Sequence, residues 1–285
     1  MIHNPGNDRP RGRSSVAPAS PSAGGTEHAE YTEITVKADG PVAVIHLDRP
    51  EKHNALTEAF WPQMREALAR LEGDGTTRAV VLTGAGDKAF SAGGDIAGFG
   101  DLDGAAAKRA FQADCLRTFA AVEECALPVV AAVNGYAFGG GCELALACDL
   151  VLASDRASFA MPESAIGLVP GFGVLRGPAV MGRHWTKWMV LAGERVDAAQ
   201  AERIGLVQRV VPHDTLLDEA VALGERIARA APLAVRVGKQ MINRGVDRGE
   251  TGYSLEAVTM LQETADTAEG IAAFAEKRPP RFEGR

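Results

Sequence analysis

A chain of 285 residues, 46% hydrophobic and 24% charged, can bury a large core, and this mixture excludes fibrous and wholly disordered classes. Thirty basic against 37 acidic residues give a formal charge of -7, which argues against a surface that tracks nucleic-acid phosphates, because such a surface needs clustered Lys and Arg. No run approaches the ~18 apolar residues of a membrane-crossing helix and no apolar h-region opens the chain, so no membrane partner and a cytoplasmic location are expected.

Residues 1–29 hold four Pro, four Gly and four Ser without apolar periodicity, and are expected to form a disordered tail. Arg9, Arg11 and Arg13 faintly imitate a transit peptide, but Asp8 and the prolines spoil an amphipathic helix. From Tyr31 onward, short β-branched and apolar runs predict strands over Thr32–Val36, Val42–Leu47, Ala79–Thr83, Val129–Val133, Leu150–Ala153 and Leu206–Val211. Helical patterns lie between them. Thr57–Leu71 places Phe60, Met64 and Leu68 on one face, and Ala105–Glu124 does the same with Phe111, Cys115 and Phe119. Alternation of strand and helix predicts an α/β fold over residues 30–212. Residues 213–285 read as almost wholly helical, over Asp214–Ala230, Leu233–Asn243, Tyr253–Thr264 and Thr267–Glu276, and such a region needs apolar partners in the core or on another subunit.

Cys115, Cys125, Cys142 and Cys148 show no C-x-x-C pairing and sit in apolar surroundings, which points to buried reduced thiols and no metal site. His46, His53 and His184 lack metal-ligand spacing and are expected to be packing or surface residues. Trp185, Trp188 and Met189 at helical spacing predict core or pocket wall. Only seven of the basic residues are Lys, a bias that, with abundant Ala, suggests a GC-rich bacterial genome.

The stretch Gly84-Ala85-Gly86-Asp87-Lys88-Ala89 fits a dinucleotide fingerprint, yet that motif works only where a helix starts inside it, and Phe90-Ser91-Ala92-Gly93-Gly94 does not read as helix. Two other glycine runs carry more. Ala92-Gly93-Gly94-Asp95-Ile96 follows one strand, and Gly139-Gly140-Gly141-Cys142-Glu143-Leu144 opens a helix after another. A helix starting there aims free N–H groups and the positive end of its dipole outward, as an oxyanion requires. Glu143 lies in its first turn and Glu163 follows Pro162 after the next strand, so both carboxylates can meet at one end of the sheet as acid and base. Singly, each glutamate or glycine run also has a plain structural reading, as a dipole-complementing or solvated carboxylate and as turn glycine.

The runs Val42–Leu56, Ala89–Ile96 and Ala132–Ala145, in that order and spacing, resemble the successive motifs of the crotonase superfamily, the enoyl-CoA hydratases and isomerases. The resemblance extends from about Tyr31 to the end, since Glu269–Phe274 with Lys277-Arg278 is similar to that family's C-terminal helix. It implies a crotonase-like ββα superhelix with a helical C-terminal trimerisation region, a trimer or hexamer, an acyl-CoA substrate, and no separate cofactor. By position, Gly94 and Gly140 would donate the two oxyanion-hole N–H groups. Glu143 would activate water and Glu163 exchange the α-carbon proton, with the Gly171 amide positioning the water. Lys52 and Ala55 fall where the family contacts coenzyme A. Ala92, Asp95, Ile96, Gly139 and Pro162 fall in the same substrate-binding motifs, and Phe274 and Lys277 where a neighbouring subunit reaches the nucleotide. After Gly171, Phe172-Gly173-Val174-Leu175-Arg176 replaces the common hydratase pattern and, with Tyr136–Phe138 and Ser158–Ala160, is similar to the carnitinyl-CoA dehydratase branch. The implied activity is hydration or dehydration of an enoyl-CoA. The alternatives are a Δ3,Δ2-enoyl-CoA isomerase, which needs a single carboxylate, and a non-catalytic assembly or RNA-binding homologue, which the charge and the intact glutamate pair oppose.

Overall fold

The computed structural model describes residues 31–96, 103–243 and 249–281, and the expected tail over residues 1–29 lies outside them. A six-stranded sheet begins with β1 (Ile34–Ala38) antiparallel to β2 (Val42–Leu47), and continues in parallel through β3 (Ala79–Gly84), β5 (Val129–Val133), β7 (Leu150–Ser154) and β10 (Arg209–Val211). Its central strands β3 and β5 are buried along their whole length, which is why AVVLTG and VVAAV read as unbroken apolar runs rather than alternating ones.

A second sheet is built from shorter pieces. Strands β4 (Ala89–Ser91), β6 (Tyr136–Phe138) and β8 (Ser158–Ala160) run parallel, and β9 (Val196–Asp197) closes the edge antiparallel to β8. Successive passes of the chain therefore lay one strand in each sheet and then a helix: β3 and β4 lead to α2 (Gly104–Glu124), and β5 and β6 to α3 (Gly140–Ala147). After β7, β8 and the loop at Glu163 comes α4 (Gly173–Val180). This is the stacked ββα arrangement that the resemblance implies.

Alternation along the first sheet divides the core in two. Val42, Val81, Val130 and Leu152 pack beneath Leu216 and Ala220 of α7 (Leu216–Ala228). Val80, Leu82, Ala131 and Val133 face the other way, into a cluster with Phe60, Met64 and Leu68 of α1 (Phe60–Gly73) and Leu116 and Phe119 of α2. Helices α8 (Pro232–Asn243), α9 (Gly249–Gln262) and α10 (Ala265–Ala275) complete the C-terminal region, and Thr264 caps α10 by accepting the Thr267 amide at 3.2 Å. No helix among the described residues is long and apolar enough to cross a membrane.

Several sequence expectations are corrected. Helix α1 starts at Phe60 rather than Thr57, whose carbonyl accepts the Phe60 amide at 3.2 Å in a preceding turn. Strand β10 starts at Arg209 rather than Leu206, because the Gln208 side chain takes the Val151 amide at 2.7 Å in place of a backbone carbonyl. Met189 is fully buried in α5 (Gly182–Leu191), but Trp188 on the same helix is 51% exposed, so that residue is neither core nor pocket wall. All four cysteines are free thiols, three buried and Cys148 half-buried.

Candidate active site

Pairing in the second sheet explains how residues twenty apart in sequence meet. Phe138 lies opposite Ala160, and the Gly139 amide extends the ladder by donating to Ala160 O at 2.9 Å. Beyond this rung the two chains diverge, one into α3 with Glu143 in its first turn, the other through Pro162 into a short 3-10 turn that starts at Glu163. A Cβ on Gly139 would stand 2.9 Å from Glu163 Oε1, and its φ of 51° lies in the left-handed region, so only glycine fits beside that carboxylate.

The other glycine run arrives from β4, the neighbour of β6. Leu56 pins it on both sides of Gly94, donating its amide to Gly93 O at 2.8 Å and accepting the Asp95 amide at 2.9 Å. Buried Asn54, at φ 56°, supports this loop by donating to Ala85 O and Ala89 O, and Ser91 Oγ donates to Asn54 O at 2.7 Å. A methyl placed on Gly140 would lie 3.5 Å from the Gly94 nitrogen, so the two glycine amides stand side by side. Gly140 is the first residue of α3, where backbone N–H groups have no partner within the helix. The turn that imitated a dinucleotide fingerprint is instead a link between β3 and β4, held by Asn134, which pairs with Gly84 and donates to Gly86 O at 2.8 Å.

Glu143 and Glu163 open into a cavity of about 430 Å³, whose apolar wall includes Trp61, Phe111, Phe119 and Phe172. Glu143 Oε1 accepts the amides of Phe172 at 2.7 Å and Gly173 at 2.8 Å. Burial pushes its carboxyl up to about 7 against the downward pull of those two bonds. Glu163 has less support: its Oε2 is buried without a hydrogen-bond partner, and its own backbone amide is the one hydrogen bond that favours its charged form. Burial first and the neighbouring Glu143 charge second push Glu163 up to about 8. Both carboxyls are therefore raised toward neutrality, and because each disfavours the other's charge they titrate as a pair. Cys115, also in the wall, is kept protonated by burial and offers no thiolate.

The enoyl-CoA hydratase/isomerase family matches this sequence over residues 37–285. The chain belongs to that family, within the crotonase superfamily. It is 39% identical over 259 residues to a probable enoyl-CoA hydratase of Mycobacterium tuberculosis, covering 90% of this chain and 99% of the relative. A carnitinyl-CoA dehydratase of Salmonella arizonae is 40% identical over 259 residues, covering 88% and 98%. The crystal structure of a carnitinyl-CoA hydratase from Mycobacterium avium superposes with a TM-score of 0.78 at 37% identity, covering 89% of this chain and 99% of that one.

Of the hydratase-like positions expected from sequence, Gly94, Gly140, Glu143, Glu163, Ala92, Ile96, Gly139, Pro162, Gly171 and Phe274 all line the cavity. Lys52, Ala55, Asp95 and Lys277 are not in its wall. Lys52 and Lys277 are exposed, the Ala55 carbonyl accepts from Arg49 at 3.1 Å, and Asp95 faces the Arg49 guanidinium at 3.4 Å. Phe274 lines the cavity while remaining largely exposed. The aromatic wall comes from Trp61 of α1, Phe111 and Phe119 of α2, Phe138, Phe172 and Phe274, and none of Trp185, Trp188 and Met189 belongs to it. Sequence reasoning also missed the amides of Phe172 and Gly173, for a backbone donor leaves no mark on residue type.

Proposed function

We propose that this chain adds water across the α,β double bond of an enoyl-CoA thioester, or removes it in reverse. The observation that carries the reading is one cavity holding two buried carboxylates, both raised toward neutrality, beside the paired amides of Gly94 and Gly140. The Glu143 carboxylate accepts a proton from water as the oxygen attacks the β carbon. Electrons of the double bond move onto the thioester oxygen, where the two N–H groups stabilise the developing charge. Protonated Glu163 then delivers its proton to the α carbon, completing net addition of H and OH.

Coenzyme A enters as part of the substrate, so this chemistry needs no further cofactor. An assembly of three or six copies fits the exposed apolar side chains on three helices, Leu191 on α5, Leu233, Met241 and Ile242 on α8, and Met260 on α9. The deciding experiment follows the absorbance of the enoyl thioester over crotonyl-, longer-chain, branched and crotonobetainyl-CoA, with chromatography of the products. Hydroxyacyl products from the wild type, lost in Glu143→Gln and Glu163→Gln, support hydration. A shifted double bond without water uptake would instead identify an isomerase.

A further inference from the structure

Arg176 stands out among the described residues because its guanidinium is buried, yet it does not line the cavity. It forms a two-pronged ion pair with Glu123 of α2, Nε to Oε1 at 2.8 Å and Nη2 to Oε2 at 2.9 Å. The same guanidinium lies over the Phe172 ring, 5.0 Å from its centroid, and the Arg176 amide donates to Phe172 O at 3.0 Å. The Phe172 ring also packs, tilted, against Phe119 at 5.3 Å between centroids. Phe172 is therefore held by two neighbours at its ring and by one at its carbonyl, and its amide is one of the two that hold Glu143 Oε1. Glu123 neutralises the guanidinium charge locally, so what the arrangement transmits is position rather than field.

We infer that Arg176, locked to Glu123, is a positioning residue that aims the Glu143 carboxylate by fixing Phe172 at the start of α4. The inference rests on the reading of Glu143 as the group that activates water. Loosening the clamp frees the Phe172 and Gly173 amides to drift, which spoils the aim of the carboxylate and weakens the bonds that favour its charged form. Arg176 and Glu123 themselves lie outside the cavity wall, so changing them leaves the substrate-contacting side chains in place and spares binding.

The test is a double-mutant cycle in the full-length protein with crotonyl-CoA as the probe, reading kcat, KM and the acid limb of the pH profile. Arg176→Met is expected to lower kcat about tenfold with KM changed less than about twofold, and to move the acid limb to higher pH. In a Glu143→Gln background the same change should cost less than about twofold, because the group being aimed is gone. Arg176→Lys, which keeps the charge but not the fork, should fall between Met and wild type. Equal losses in both backgrounds with an unmoved acid limb would overturn the proposal. Should Arg176→Met fail to fold by circular dichroism, Glu123→Gln opens the clamp from the other side and runs through the same cycle with the same criteria. If Glu143→Gln alone retains wild-type turnover, the carboxylate reading falls before Arg176 is tested, so the two failures are distinguishable.

Discussion

The two sheets divide stability and chemistry between them. In the first, β3 and β5 are buried on both faces by two apolar clusters, and no carboxylate of the cavity is attached to them. In the second, three-residue strands end in turns that hand polar groups to the cavity: Gly94 after β4 and Gly140 and Glu143 after β6 by way of glycine runs, and Glu163 after β8 by way of Met161-Pro162. Burying Glu163 Oε2 without a partner costs stability, whereas the buried apolar side chains of β3 add to it. A long, rigid, apolar sheet lets its short neighbour carry groups that folding alone would disfavour.

If that division is right, changes at the second sheet should damage turnover and changes at the first should damage stability. Glu143→Gln and Glu163→Gln keep shape but remove proton transfer, so each should lower kcat by roughly 10² to 10⁴ without loss of thermal stability, measured by thioester absorbance and calorimetry. Gly140→Pro removes one amide donor and should cost about 10² to 10³ in kcat. Gly140→Ala keeps that donor, and its methyl meets the Gly94 nitrogen and Leu56 Cδ1 at an ordinary 3.5 Å, so it should fold normally and lose activity only by crowding the thioester.

The first sheet should behave in the opposite way. Leu82→Ala, at a fully buried site in β3, should destabilise by about 2 to 5 kcal/mol in denaturant titration while kcat per folded molecule stays unchanged. A fall in kcat there would break the division. The smallest effect is a slope. With Glu163 raised from its ordinary 4.5 to about 8, the folded chain binds more protons than the unfolded one between those values, so stability falls as pH rises through that window. Glu163→Gln removes this cost, and its melting temperature should exceed the wild type's by a margin that grows from pH 5 to pH 8.

The same contrast explains what could be read before the fold was known. Runs such as AVVLTG and VVAAV announce the first sheet because a strand buried along its length must be apolar along its length. Fragments such as AFS, YAF and SFA do not, for three residues give no period, and their strand geometry is imposed by neighbouring chains. Glu143, Glu163 and the two glycine runs were visible as residue types, and their meeting depended on Phe138 pairing with Ala160. The clamp around Phe172 was hidden for another reason. Glu123 and Arg176 lie 53 positions apart on different helices, and the run that ends at Arg176 marks a branch of the family without pointing to Glu123 as its partner.

The most direct test of the central claim is the carbonyl stretch of a bound acyl-CoA labelled at the thioester carbon, observed by difference infrared spectroscopy. If the amides of Gly94 and Gly140 polarise that carbonyl, the band shifts to lower frequency in the wild type and less in a folded Gly140→Pro variant. A wild-type band at its solution frequency would mean that the thioester is not held by these glycines, and the assignment of the second sheet as the catalytic end would fall.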